Sequence, residues 1–356
     1  MPEDELTRKD AVLPETMGME RGGAEADKVL PSAMRRVLFG ADGLRAGWSL
    51  LLFLLLLAAL IIPGHRLISD QHSPAASASA RTREQSVRSA VRRDGVLFLM
   101  VVLASVAMSR IERRPLAAYG IGRTRGGARQ FVAGLVWGLV FLSLLMALLR
   151  GAHLLVFDGR LLTGEAIVRF GAEWAVGFLL VGLFEEYFLR GYLQFTLARG
   201  FSGIYGAVLK RSHRDRLGLN RDAWGFWTAA VILSFVFGLG HRSNPGESSI
   251  GLLTAGAAAL VFTFSLWRTG SLWWAIGFHA AWDWAQSFLY GVADSGIMMQ
   301  HHLLASHPVG RPNLSGGATG PEGSVFVLLV LLLVAVVIRM TLNGVRRARS
   351  ETALLS

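Results

Sequence analysis

The sequence predicts an all-α fold, a polytopic transmembrane bundle of about eight spanning helices. Two observations carry this. The 356 residues are 52% hydrophobic with a mean hydropathy of +0.44, too apolar for a soluble chain of this length. Their apolar residues also come in blocks near the ~20 residues that a bilayer requires, separated by arginine-rich connections. The net charge of +11 sits mostly on those connections, which suits anionic lipid headgroups and gives no reason to expect nucleic acid as a partner. There is no cysteine, which removes disulfides, thiolate-bound metal and a thiol nucleophile.

Residues 1–36 are polar and mixed in charge, and read as a cytoplasmic tail without a fold. The first apolar block, 47–62, is too late and too long for a secretory signal and is expected to end at Pro63-Gly64. A loop-like stretch, 72–79, and a basic run, 88–93, lead into a second block, 96–108. The third span is 131–149, preceded by a Gly/Arg-rich linker, 120–129. Residues 164–174 mix charge with apolar spacing, and predict an interfacial helix feeding a fourth span, 175–197. A basic linker, 210–216, separates this from spans at 224–240, 250–267 and 272–290, the last two joined by a turn at Arg268-Thr269-Gly270. A Gly/Pro-rich loop, 306–323, precedes the eighth span, 325–340.

With eight spans both termini share a side. Arg35, Arg36 and Arg45, the arginines of 110–129, the bases of 210–221 and Arg346, Arg347 and Arg349 all fall there, so that side is expected to be cytoplasmic; the bases of 81–93 oppose this. The expected organisation is a disordered tail 1–45, three helices in 46–150, a catalytic core 151–291, and a loop, last helix and basic tail in 292–356. The chain is expected to be integral to a bacterial plasma membrane.

The chemistry is concentrated in Phe184-Glu185-Glu186-Tyr187-Phe188-Leu189-Arg190, inside the fourth span. A charge near a bilayer centre costs about 2.5–3.5 kcal/mol on insertion scales, so intramembrane carboxylates usually face the bundle interior and mark a functional path. Adjacent helix positions lie about 100° apart, so Glu186 can pair with Arg190 at i+4 while Glu185 points elsewhere. At the end of the fifth span stands Phe237-Gly238-Leu239-Gly240-His241, continuing through Asn244-Pro245-Gly246-Glu247. In the seventh, His279 and Asp283 share a helix face at i and i+4, where the carboxylate can orient the imidazole. Because up-and-down helices alternate in direction, Glu185, His241 and His279 reach the same half of the membrane.

These residues resemble a known family. Glu-Glu-x-x-x-Arg, then Phe-x-x-x-His, then His-x-x-x-Asp, on successive apolar helices over about 175–286, is similar to the CPBP family of intramembrane proteases, which includes type II CAAX prenyl endopeptidases and bacterial bacteriocin-processing (Abi) proteins. Arg190-Gly191-Tyr192-Leu193-Gln194, Asn244-Pro245-Gly246 and Gly270-Ser271-Leu272-Trp273 also look familial. The resemblance implies a peptide-bond hydrolase. Glu185 would be the general base toward water, helped by His241. His279 would polarise the scissile carbonyl or hold a metal, and Arg190 and Phe237 would be structural support. The family often ends its last motif in Asn; Asp283 here favours an orienting or metal role.

By donor chemistry a divalent metal, zinc foremost, would take His241 and His279 with a carboxylate from Glu186 or Asp283; the same groups could also activate water without an ion. The expected partners are a membrane protein or peptide substrate and the lipid bilayer. The alternative function is a proton-coupled transporter or a non-catalytic membrane scaffold, since buried carboxylates and histidines also make proton relays, although no paired halves with interrupted helices are visible. His301-His302 reads as a loop feature, and Trp273, Trp274, Trp282 and Trp284 as anchors and packing. Ser243 and Thr269 lack a nucleophile elbow, which disfavours a serine hydrolase.

Overall fold

The computed structural model describes residues 32–40, 43–68, 83–122, 126–208 and 220–342. The tail over 1–31, the loop expected at 72–79, the basic linker 210–216 and the arginines at 346–349 lie outside them. The chain divides into a small unit, Met1–Arg45, and a membrane unit, Ala46–Ser356. In the first, α1 (Ser32–Leu38) leads into a hairpin of two short antiparallel strands, β1 (Phe39–Gly40) and β2 (Gly43–Leu44). Composition alone predicts no such order. It is local: the Arg45 guanidinium donates to the Arg36 carbonyl at 3.2 and 3.1 Å, satisfying a carbonyl in the last turn of α1.

Six helices of the membrane unit are long and apolar enough to cross a bilayer: α2 (Ala46–Ile68), α3 (Val87–Ile111), α4 (Gly127–Gly151), the continuous helix Glu165–Val208, α7 (Arg221–Gly240) and α8 (Ser249–Thr269). Two shorter apolar helices join them, α9 (Trp273–Trp284) and α10 (Phe326–Thr341). The all-α polytopic bundle is thus the observed fold class, although two of the eight helices are short.

Local chemistry sets the helix starts. Ser86, Asn220 and Ser248 each cap a helix by accepting a backbone N–H in its first turn. Gly270, at φ 67°, ends α8 in the left-handed conformation. Other boundaries depart from expectation. The first helix continues through Pro63-Gly64 to Ile68, since a proline removes one donor without ending an apolar helix in lipid. The basic run 88–93 forms the opening turns of α3, which extends beyond the apolar block 96–108 on both sides.

The residues expected as a helix feeding the fourth span, 164–174, are helical from Glu165 and run into that span without a break: α5 (Glu165–Glu185), a π-helical segment (Glu186–Leu193) and α6 (Gln194–Val208) form one helix of 44 residues. The stretch 306–323 is also more than a loop. β6 (Leu304–Pro308) pairs antiparallel with β4 (Leu155–Arg160), and β5 (Ile297–Met299) pairs parallel with β3 (Arg83–Gln85). These strands are too short for alternation to register as a sequence signal.

Helix α9 lies at the centre of the bundle, with Trp274, Ala275, Ile276, Phe278 and Ala281 all buried. A helix that is apolar all round belongs in the interior, surrounded by protein rather than lipid. Glycines let it approach α4 closely: a Cβ at Gly134 or Gly138 would strike the α9 backbone at Trp274 and Phe278, and one at Gly277 would strike the α4 backbone at Phe131. This packing sets the height and rotation at which α9 carries His279.

Candidate active site

Glu186 opens the π-helical segment, where the backbone repeat widens and the side-chain faces rotate against the helix on either side. The segment buries Glu186, Tyr187, Leu189, Arg190, Tyr192 and Leu193 together. Arg190 Nη1 donates to Glu186 Oε1 at 2.6 Å, a pair whose side chains are 3% and 0% exposed. Two rings meet the guanidinium, Phe237 at 4.8 Å and Phe262 at 5.5 Å. Such contacts stabilise a cation that is short of water.

The same Glu186 oxygen lies 2.9 Å from His279 Nδ1. A carboxylate accepts, so the imidazole donates through Nδ1 and turns Nε2 toward Glu185 Oε2 at 3.8 Å and Asp283 Oδ2 at 3.4 Å. Glu186 therefore orients this ring, where the i, i+4 spacing had suggested Asp283. Asp283 instead shares the other ring nitrogen with Glu185.

His241 closes α7, and its Nδ1 lies 2.8 Å from the Phe237 carbonyl, which again puts a proton on Nδ1 and leaves Nε2 open. The Phe237 ring stands edge-on to the imidazole at 4.6 Å. Phe237 thus holds Arg190 with its ring and His241 with its carbonyl.

Glu185, His241, His279 and Asp283 all line one cavity of about 460 Å³. Glu186 and Arg190 do not; they lie behind His279. One part of the wall is apolar, with Phe184 and Phe188 from the long helix and Val236 from α7. Another is acidic and comes from residues outside the three motifs: Glu247 after α7, and Asp294 and Glu322 in the segment between α9 and α10.

That segment is laced into place. Glu322 accepts from the Ser295 N–H and from Ser295 Oγ, the latter at 2.8 Å, and its carbonyl accepts from Thr254 Oγ1 at 2.6 Å. Ser287 donates to Asp294 at 3.2 Å, and Gln286 donates to the Ala293 carbonyl at 2.8 Å. Burial pushes the carboxyls of Glu247 and Glu322 above the usual range. Burial, then the charges of Asp283 and Glu322, pushes Asp294 further up. The available signal was modest: Asp294 and Glu322 are the only acidic residues between 291 and 325.

Of the other singled-out residues, Trp282 also lines the cavity. His301 stacks on Phe170 at 4.2 Å, and His302 Nδ1 meets the Leu304 carbonyl at 2.6 Å. Trp274 is core, Trp282 donates to Gln286 at 3.1 Å and Trp284 to the Gly171 carbonyl at 2.8 Å.

For a divalent metal, both imidazoles engage Nδ1, which leaves Nε2 of His241 open and Nε2 of His279 facing Glu185 and Asp283. Of the two carboxylates expected as third ligand, Glu186 is committed to Arg190 and to the far side of His279, whereas Asp283 lines the cavity, 3.4 Å from His279 Nε2. Among the described residues no three His, Asp or Glu side chains are grouped to hold an ion.

Residues 167–285, which carry all three motifs, match the model of the family described as type II CAAX prenyl endopeptidase Rce1-like. No curated protein and no solved structure matches the chain. Over residues 167–285, a third of the chain, the segment that carries Glu185, His241, His279 and Asp283 is thus similar to the Rce1-like type II CAAX prenyl endopeptidase family.

Proposed function

We propose that the protein is an intramembrane endopeptidase that hydrolyses a peptide bond at or near the membrane surface, with Glu185 as general base. The observation that carries this reading is the shared cavity: Glu185, His241, His279 and Asp283 face one space inside a bilayer-spanning bundle, while Glu186 stays behind His279 as its anchor. Glu185 removes a proton from water, and the hydroxide adds to the scissile carbonyl. The oxyanion is met by an imidazole N–H, from Nε2 of His279 or His241 when that ring carries a second proton. As the C–N bond breaks, Glu185 returns its proton to the departing amine. The apolar wall at Phe184, Phe188 and Val236 suits a substrate that arrives from lipid. A divalent ion, if the enzyme uses one, would polarise the carbonyl or water, and would require ligands other than the set His241, His279 and Glu186.

The test is cleavage by purified protein in detergent, using a peptide with a prenylated cysteine near its C terminus, the substrate class in the family's name, beside an unmodified membrane peptide. Glu185→Gln is expected to abolish turnover with the thermal midpoint nearly unchanged, because a neutral isostere removes the base and relieves a charge. Wild-type turnover in that variant would take Glu185 out of the chemistry.

A further inference from the structure

The pair that anchors His279 is incompletely satisfied. Glu186 Oε2 and Arg190 Nη2 are both buried with no hydrogen-bond partner. With Oε2 and Nη2 unpartnered, the pair depends on the two Oε1 bonds, to Arg190 and to His279, and on the rings packed against the guanidinium to keep its geometry. Neither residue lines the cavity, whereas His279, Phe237 and Phe262 do. The two phenylalanines therefore touch the guanidinium on one side and the cavity on the other.

Phe262 comes from α8 and belongs to none of the three motifs. It is 5% exposed, and its ring centroid lies 5.5 Å from the Arg190 guanidinium carbon and 5.5 Å from the His279 ring. It also packs edge-on against Phe278, at 5.5 Å, on the helix that carries His279. No other aromatic ring among the described residues is recorded against both Arg190 and His279.

We propose that Phe262 is a positioning residue that, with Phe237, clamps Arg190 and closes the wall between the cavity and the Arg190–Glu186 pair. Glu186 then acts on the reaction only through Nδ1 of His279. This rests on the reading of Glu185 and His279 as the reacting groups. A flat negative ring face is what the arrangement needs, since an aliphatic side chain could fill the space but would not stabilise a guanidinium whose Nη2 has no acceptor.

Fluorinated phenylalanines incorporated at position 262 keep the shape of the ring while withdrawing charge from its face. Across mono-, di- and trifluoro variants kcat is expected to fall stepwise, about tenfold in all, with KM within about twofold. Phe262→Leu should match the trifluoro variant and Phe262→Trp should retain activity. A flat series overturns the proposal. The second readout needs no activity: thermal midpoints of Phe262→Leu, Arg190→Met and the double variant. The proposal expects coupling, the double variant melting close to Arg190→Met alone. Additive midpoints overturn it. Cleavage by Glu185→Gln with coupling intact would sink the reading of Glu185 and leave Phe262 in its place; an inactive Glu185→Gln with a flat series and additive midpoints would do the reverse.

Discussion

Arg190→Ala is the perturbation whose size the structure specifies best. It removes the 2.6 Å bond to Glu186 and strands a carboxylate that is 0% exposed, with one oxygen already unpartnered. It also deletes the cation from between Phe237 and Phe262. Removing one partner of a buried pair costs about 3–5 kcal/mol, a large share of the roughly 5–15 kcal/mol that holds a typical protein folded. In a chain of this size each kcal/mol moves the midpoint by about 2–4 °C, so a fall on the order of 10 °C is expected in detergent. Turnover should fall as well, because Glu186 is then free to rotate away from His279 Nδ1. Arg190→Ala combined with Glu186→Gln removes the stranded charge and leaves an amide oxygen for Nδ1–H, so most of the lost stability should return. The assay is the midpoint in detergent together with initial cleavage rates for wild type, both single variants and the double. A midpoint within ~1 °C of wild type for Arg190→Ala, or a double variant less stable than Arg190→Ala, would refute the reasoning.

Asp294 gives a pH signature. Its carboxyl is held well above the ordinary value by burial and by the charges of Asp283 and Glu322, so the folded chain keeps a proton there that the unfolded chain releases. Its contribution to stability is full below the ordinary carboxylate range and is lost as pH rises through the folded value; Asp294→Asn should flatten that decline in midpoint-versus-pH curves. Metal use is decided by elemental analysis of active protein during chelator titration. Full turnover with far less than one divalent ion per chain leaves Glu185 and His241 to activate water unaided, whereas about one zinc per chain, lost with activity in His279→Ala, would demand ligands other than Glu186. Tags at both termini should be reached by protease only from the cytoplasm; digestion of a C-terminal tag in intact spheroplasts would invert the orientation.

The bundle was legible because each span satisfies its own backbone and meets lipid over a fixed length, so composition in a window of that length carries the message. The bond between Glu186 and Arg190 was legible for a similar reason: residues four apart on a helix are neighbours wherever the helix goes. The His279 and Asp283 spacing misled on one point. It brought the carboxylate near the ring but could not say which nitrogen, and a residue 93 positions away took Nδ1. That choice depends on how α9 is rotated against the long helix. The rotation is decided by the glycine contacts with α4 and by the π-helical segment, neither of which leaves a periodic trace. Phe262, Asp294 and Glu322 were unreadable on the same ground. An apolar residue in an apolar span and two acids in the connection between spans look ordinary until packing turns them toward one cavity. The sequence by itself determined a membrane bundle with polar groups in three of its helices. Only the tertiary structure decided which of those groups touch and which rings pack against them, because contacts between helices depend on rotation and depth, which no local pattern encodes.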